Sequence, residues 1–354
     1  MNWKRILLTS FAILIALAQT KIDSLIASQK VIIDTDFARP PQDDALAILL
    51  ALKSPELEIL GFTTVAGNFS REQATSDLLR VLEIVGREDI SVYEGANLPL
   101  VHRPTDFARN HWGKWYSDEI PPPPPGGFAS IQPASERAAD FLVRAVNSQP
   151  GQVAIIAIGP LTNVAIAISQ DPDFSNNVKK LYIMGGAIAS LPDGAGNITP
   201  NAEFNFWVDP ESAHIVLRSK IPIELSPLNV SRKTSFTQKH LDQILSTDNR
   251  VTDLLSETMK DVFQSGGISY FMYDQVTVAS VIDPTLVTKK HLVVDVDCSP
   301  GINYGVSVGG TSPWPGSDGA QLIEVQYDLD WKRFISLFIS RLTSDEASPQ
   351  EYFD

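Results

Sequence analysis

The chain has one cysteine, Cys298, so no disulfide can close within it and stability must come from packing, even in an oxidising compartment. Basic side chains are few beside acidic ones, 28 Lys and Arg against 42 Asp and Glu. The resulting charge of −14 argues against nucleic acid as a partner, because phosphates repel such a surface. Internal repeats and long linkers are absent, as is an apolar run of the roughly 20 residues needed to span a bilayer. The nearest approach lies at the start, where Lys4 and Arg5 precede the apolar stretch from Ile6 to Ala18, broken by Thr9 and Ser10. Ala16-Leu17-Ala18 offers the small residues a signal peptidase reads, so residues 1–18 are expected to be a cleaved export signal. The mature protein is then exported, periplasmic or extracellular, without stable membrane insertion.

What is present is an ordinary globular composition, 44% hydrophobic and 20% charged. Strand-like runs at 31–35, 58–65, 153–158, 180–184 and 222–225 alternate with helical patterns at 43–53, 70–86, 134–148, 161–170, 209–219, 236–246, 251–264, 274–282 and 329–342. Further strands are expected at 292–297 and 321–327. This alternation predicts an α/β fold, an open mostly parallel sheet flanked by helices, in a single domain over residues 30–345. Ser70, Asp209 ahead of Pro210, and Asp330 are expected helix starts. Residues 99–133 break the rhythm with Trp112, Trp115, Tyr116 and the prolines 121–125, and read as a long loop, either a binding segment or a disordered insertion. The sequons at Asn68, Asn197 and Asn229 read as chance matches, since two of them fall among the candidate site residues.

The chemistry concentrates where strands end. Val31-Ile32-Ile33 leads into Asp34-Thr35-Asp36, and Asp43-Asp44 opens the next apolar run. Carboxylates this close repel one another and are costly to desolvate, so they take up a proton or share a cation. Oxygen ligands suit a hard ion, Ca²⁺ or Mg²⁺, better than zinc. Asn68, Gly159-Pro160-Leu161-Thr162-Asn163 and Met184-Gly185-Gly186 follow later strands, and ligands of parallel sheets bind beyond such carboxyl ends. Any one of these residues is as readily a strand terminator or helix cap; their joint occurrence on one edge favours a site. Asn197, Glu203 and Asn205 around Phe204 suit a polyol, whose hydroxyls both donate and accept hydrogen bonds. Asp274 is either a helix cap or one more carboxylate of the cage.

With these strings in place the chain resembles the calcium-dependent nucleoside hydrolases. Their opening motif, Asp-x-Asp-Pro-Gly-x-Asp-Asp, is matched by Asp34-Thr35-Asp36 and Asp43-Asp44. Thr64-Val65-Ala66-Gly67-Asn68, Gly159 to Asn163, Ile183 to Ala187, Ala202 to Asn205 with Asp209-Pro210, and Ile282-Asp283-Pro284 follow in family order. The resemblance implies hydrolysis of the N-glycosidic bond of ribonucleosides to ribose and a free base, a salvage reaction. It implies that Asp36, Asp44, Asp274 and the carbonyl of Ile158 hold Ca²⁺, with Asp36 as general base. Asp43, Asn68, Asn197, Glu203 and Asn205 are expected on ribose hydroxyls, between apolar walls from Met184 and Phe204. A homo-oligomer is compatible with the sequence, which does not fix the oligomeric state.

Two departures stand out. The family usually has three residues between the positions of Asp36 and Asp43; here there are six, Phe37-Ala38-Arg39-Pro40-Pro41-Gln42. Arg39 either favours an anionic substrate or points into solvent, and the solvent reading is preferred. Where many members place a His before the last metal-binding Asp, this chain has Tyr273, which either donates a proton to the leaving base or stacks on it with Trp112 or Trp115. His111 lies where relatives carry a loop His; His102, His214, His240 and His291 receive no role. The alternatives to an N-glycosidase are a non-catalytic exported ribose- or nucleoside-binding protein, and a hydrolase of another ribosyl compound. Asp36 favours catalysis, since a binder has no use for a water-activating carboxylate.

Overall fold

The computed structural model describes residues 28–103, 105–106, 123–124, 126–259, 262–263 and 269–344. The expected export signal, His111, Trp112, Trp115, Tyr116 and most of the proline run lie outside the described residues. Among the described residues no helix is long and apolar enough to cross a membrane.

The first half runs β1 (Gln29–Thr35), α1 (Asp43–Leu52), β2 (Leu57–Thr64), α2 (Arg71–Val85), β3 (Val92–Glu94), α3 (Ala138–Ser148), β4 (Ala154–Ala157), α4 (Thr162–Gln170), α5 (Phe174–Asn177) and β5 (Lys180–Met184). It continues with α6 (Phe204–Val208), α7 (Pro210–Leu217), β6 (Ile223–Ser226), α8 (Leu228–Ser231), α9 (Gln238–Ile244), α10 (Arg250–Met259) and α11 (Asp274–Ile282). After a 3₁₀ turn at Pro284–Leu286 come β7 (Val287–Val296), β8 (Ser307–Gly310), β9 (Leu322–Leu329) and α12 (Trp331–Thr343). The nine strands form one sheet in the order β3-β2-β1-β4-β5-β6-β9-β7-β8. The run from β3 to β9 is parallel, and β7 pairs antiparallel with both β9 and β8. This is the architecture expected from the alternation of strand and helix patterns.

Period two on β1 explains its burial. Val31 and Ile33 face one core with Leu46, Leu78, Val278 and Phe334, while Ile32 faces another with Phe141, Leu142, Val164 and Val216. Helices therefore cover both faces. The anticipated starts are used: Ser70 accepts from the Gln73 N–H, Asp209 from Ser212 and Asp330 from Arg333. Where the sheet turns antiparallel, Glu224 on β6 is buried and accepts from Lys180 Nζ at 2.6 Å and Lys289 Nζ at 2.9 Å, which joins β5, β6 and β7.

The order of strands reverses at β1, because the chain adds β2 and β3 on one side of it and β4 on the other. The crevice beyond the carboxyl ends of β1 and β4 is the switch point at which sheets of this kind bind ligands. Asp36 and Ile158 are the residues that leave those two ends.

Candidate active site

Asp36 leaves β1 just past its last ladder partner, and the side chains before it alternate. Thr35 donates its hydroxyl to Asp44 Oδ1 at 2.5 Å. Asp34 points to the other face, accepting from Thr63 Oγ1 at 2.5 Å and from Asn163 Nδ2 at 2.7 Å. Asp34 thus stands apart from the acids it was grouped with in the sequence: strand alternation turns it under the sheet edge, where it ties β1 to β2 and to the start of α4. Asp43 and Asp44 occupy the first turn of α1, where the helix dipole favours negative charge.

The loop after β2 brings Asn68, whose N–H donates to Asp36 Oδ2 at 2.7 Å and whose Nδ2 donates to Asp44 Oδ2 at 2.9 Å. Glu203 caps the short helix α6, accepting from the N–H groups of Asn205 at 2.8 Å and Phe206 at 3.1 Å, and from Gly186 at 2.8 Å. These bonds hold α6 against the end of β5. Asn205 then reaches the carbonyls of Ile158 and Met184, each at 3.3 Å. Asn197 Oδ1 accepts from the Phe204 N–H at 2.9 Å. Asp274 is the first residue of α11, and Tyr273 is its N-cap without a side-chain cap bond.

Together these elements enclose a cleft of about 480 Å³. Its walls include every site residue named from the sequence: Asp36, Asp43, Asp44, Asn68, Ile158, Met184, Asn197, Glu203, Phe204, Asn205, Tyr273 and Asp274. Gln42, Phe236, Tyr270, Phe271, Met272 and Gln275 also line it. The aromatic run ahead of Asp274 was the signal for Tyr270 and Phe271. Phe236 carried none, because it arrives from a distant loop, paired with Tyr270 through an isolated bridge.

The acids crowd one another out of water. Asp43, Asp44 and Asp274 each present a carboxylate oxygen within 4.8 Å of the other two. Burial, with Asp43 and Glu203 adding to it, pushes the Asp36 carboxyl up to about 7. Burial and the neighbouring carboxylates raise Asp44 and Asp274 well above the ordinary range, and burial pushes Glu203 up to about 7. Asp43 is raised by burial too. Burial, then the Asp43 charge, pushes the Tyr273 phenol up to about 12.

The donor set fits a hard divalent ion. It consists of carboxylate oxygens and backbone carbonyls, and Asp36 Oδ1 is buried with no hydrogen-bond partner. Asp43, which the resemblance places on ribose, belongs to a trio of acids with Asp44 and Asp274, and Asp36 is near enough to repel Asp44 and Asp274.

Arg39 does not line the cleft: its side chain stays 34% exposed and pairs through Nε with the buried Asp77 on α2 at 3.3 Å, a partner neither sequence reading supplied. A buried carboxylate on the adjacent helix outcompetes water for the guanidinium. The sequon residue Asn229 is fully buried, accepting from the Ile188 N–H at 2.9 Å, while Asn68 and Asn197 line the cleft.

Residues 31–336 match the family model described as inosine-uridine preferring nucleoside hydrolase. Uridine nucleosidase 1 of Arabidopsis thaliana is 37% identical over 325 residues, covering 87% of this chain and 91% of that protein. Pyrimidine-specific ribonucleoside hydrolase RihA of Citrobacter koseri is 33% identical over 319 residues, covering 88% of this chain and 97% of that protein. Among solved structures, the plant nucleoside hydrolase PpNRh1 superposes with a TM-score of 0.76 at 33% identity, over 90% of this chain and 99% of that one.

Proposed function

Given that the chain belongs to the inosine-uridine preferring nucleoside hydrolase family and is an N-glycosidase of ribonucleosides, we propose that Asp36, Asp44, Asp274 and the Ile158 carbonyl hold Ca²⁺ in the cleft, with Asp43 beside them. The observation that carries this is the convergence of the buried Asp36, Asp44 and Asp274 with the half-buried Asp43 at the carboxyl ends of β1 and β4, with Asp36 Oδ1 unpartnered. A divalent ion bound there supplies Lewis acidity, neutralising the carboxylates and making a nearby water easier to deprotonate.

Asp36 takes the proton from the attacking water. Asn68 holds it in place through its backbone N–H, so that its other oxygen remains available. Asn68, Asn197, Glu203 and Asn205 bind ribose hydroxyls, and Met184 and Phe204 close over the apolar face of the ring. As the N-glycosidic bond breaks, the sugar gains oxocarbenium character, which the surrounding carboxylates stabilise electrostatically. Tyr273, still protonated at neutral pH, stands beside the leaving base with Phe271 and Tyr270.

The names of the curated relatives make uridine the first substrate to try. The purified protein is to be incubated with uridine, inosine and adenosine, with and without chelator, and ribose measured. Ribose released from uridine and lost on chelation supports the reading. Ca²⁺ binding with no ribose from any nucleoside would leave a binding protein instead. Export is proposed from Lys4, Arg5 and the apolar stretch that follows, and N-terminal sequencing of the mature protein tests it: a chain still carrying residues 1–18 overturns it.

A further inference from the structure

The six-residue spacer between Asp36 and Asp43 must keep both acids facing one point despite its extra length. Phe37 and Ala38 are fully buried, and the Gln42 N–H donates to the Arg39 carbonyl at 3.0 Å, closing a turn over Pro40 and Pro41. From the start of that turn Arg39 reaches back to Asp77, which lies inside the protein on α2 with its Oδ1 otherwise unpartnered. The helix bearing Asp77 begins at the Ser70 cap, two residues after Asn68. Asn68 in turn bonds both Asp36 and Asp44. The contacts therefore close a ring: Asp36, spacer, Arg39, Asp77, α2, Asn68, and back to Asp36.

We propose that Arg39 is a positioning residue, which with Asp77 locks the long spacer to α2 so that Asp36 and the Asp43-Asp44 pair converge on one cation. The proposal rests on the reading of these acids as the cation cage. Its physical basis is that an ion pair with one partner buried contributes little net stability but fixes register, because Asp77 without Arg39 leaves an uncompensated charge inside. A flexible spacer of this length would otherwise spend part of the binding free energy of the ion on ordering itself.

The test is Ca²⁺ binding to the chelator-treated full chain by calorimetry, with melting temperature in chelator recorded in parallel. Arg39→Ala is expected to weaken Ca²⁺ roughly tenfold or more, the usual scale for residues that hold metal ligands in place, while Arg39→Lys keeps most of the affinity. The double variant Arg39→Ala/Asp77→Ala removes both charges. It is expected to regain melting temperature relative to Arg39→Ala yet still bind Ca²⁺ weakly. If the double variant recovers Ca²⁺ affinity along with its melting temperature, or if Arg39→Ala binds within about twofold of the parent, the positioning role is overturned. A parent chain that binds no Ca²⁺ removes the cage reading itself, and this proposal with it.

Discussion

The side-chain amide of Asn68 donates to Asp44 Oδ2 at 2.9 Å, and this bond joins the loop after β2 to the first turn of α1. Because the backbone N–H of Asn68 also fixes Asp36, one residue orients two carboxylates of the cage. Asn68→Ala keeps the backbone bond and removes the other. The expected loss is roughly 10-fold to 100-fold in kcat/KM on uridine, with a parallel loss of Ca²⁺ affinity. Full activity with unchanged Ca²⁺ binding would show that Asp44 needs no such support.

Asp36→Ala is expected to abolish turnover, since a positioned base alone is worth roughly 10²- to 10⁴-fold. The fold survives, because the carboxyl removed is buried and pushed up to about 7, crowded by Asp43 and Glu203. Steady-state kinetics and the melting temperature of the chelated protein measure both. A variant that unfolds would make Asp36 a structural residue first.

Tyr273→Phe is expected to cost less than tenfold, far less than Asp36→Ala, because the ring contributes by contact rather than by giving up a proton. The phenol is pushed up to about 12 and its ring meets Phe271 edge-on at 6.1 Å. Equal losses in the two variants on a purine nucleoside would instead assign the leaving-group proton to Tyr273.

Much of this cleft is legible in the sequence. The apolar runs of β1 and β5 end in polar or glycine-rich strings, and a parallel sheet gathers such ends on one edge. What escaped has identifiable causes. β3 is only Val92–Glu94, too short for a period, and β8 reads Ser-Val-Gly-Gly, without the alternation of a half-buried strand. Thr35 is hidden by the two acids beside it, although period two on β1 aims it, and not Asp34, at Asp44. The pairing of Arg39 is not legible, because its partner Asp77, deep on α2, is remote in sequence and looks like any surface acid of an amphipathic helix.

Two glycines make room for the base. A methyl group at Gly67 would overlap Asp36 Oδ2, and one at Gly159 would lie 2.7 Å from the Asp36 backbone nitrogen and 2.8 Å from its Oδ1. The second clash involves main chain, which cannot swing aside as a side chain does. Gly159→Ala is expected to lower stability by about 1–3 kcal/mol, as overpacking does, and to reduce kcat more than KM. Denaturant melts and kinetics test it; a variant with parental activity would mean the strand end yields without moving Asp36.

The crowding of acids gives Ca²⁺ a pH-dependent effect on stability whose sign can be worked out. Asp36 rises from the ordinary 3.8 to about 7 in the folded chain, so without a cation the folded state keeps a proton that the unfolded chain has released. Its contribution is therefore full below about pH 4 and is lost as the pH climbs through about 7. Asp44 and Asp274 shift in the same direction. A divalent ion binds the deprotonated carboxylates, so it competes with protons at low pH and relieves repulsion at high pH. The rise in melting temperature on adding Ca²⁺ to chelated protein is thus expected to be small near about pH 5 and to grow towards about pH 8. Equal rises at both ends would mean that the ion binds groups already ionised at about pH 5, which is incompatible with Asp36, Asp44 and Asp274 as its seat.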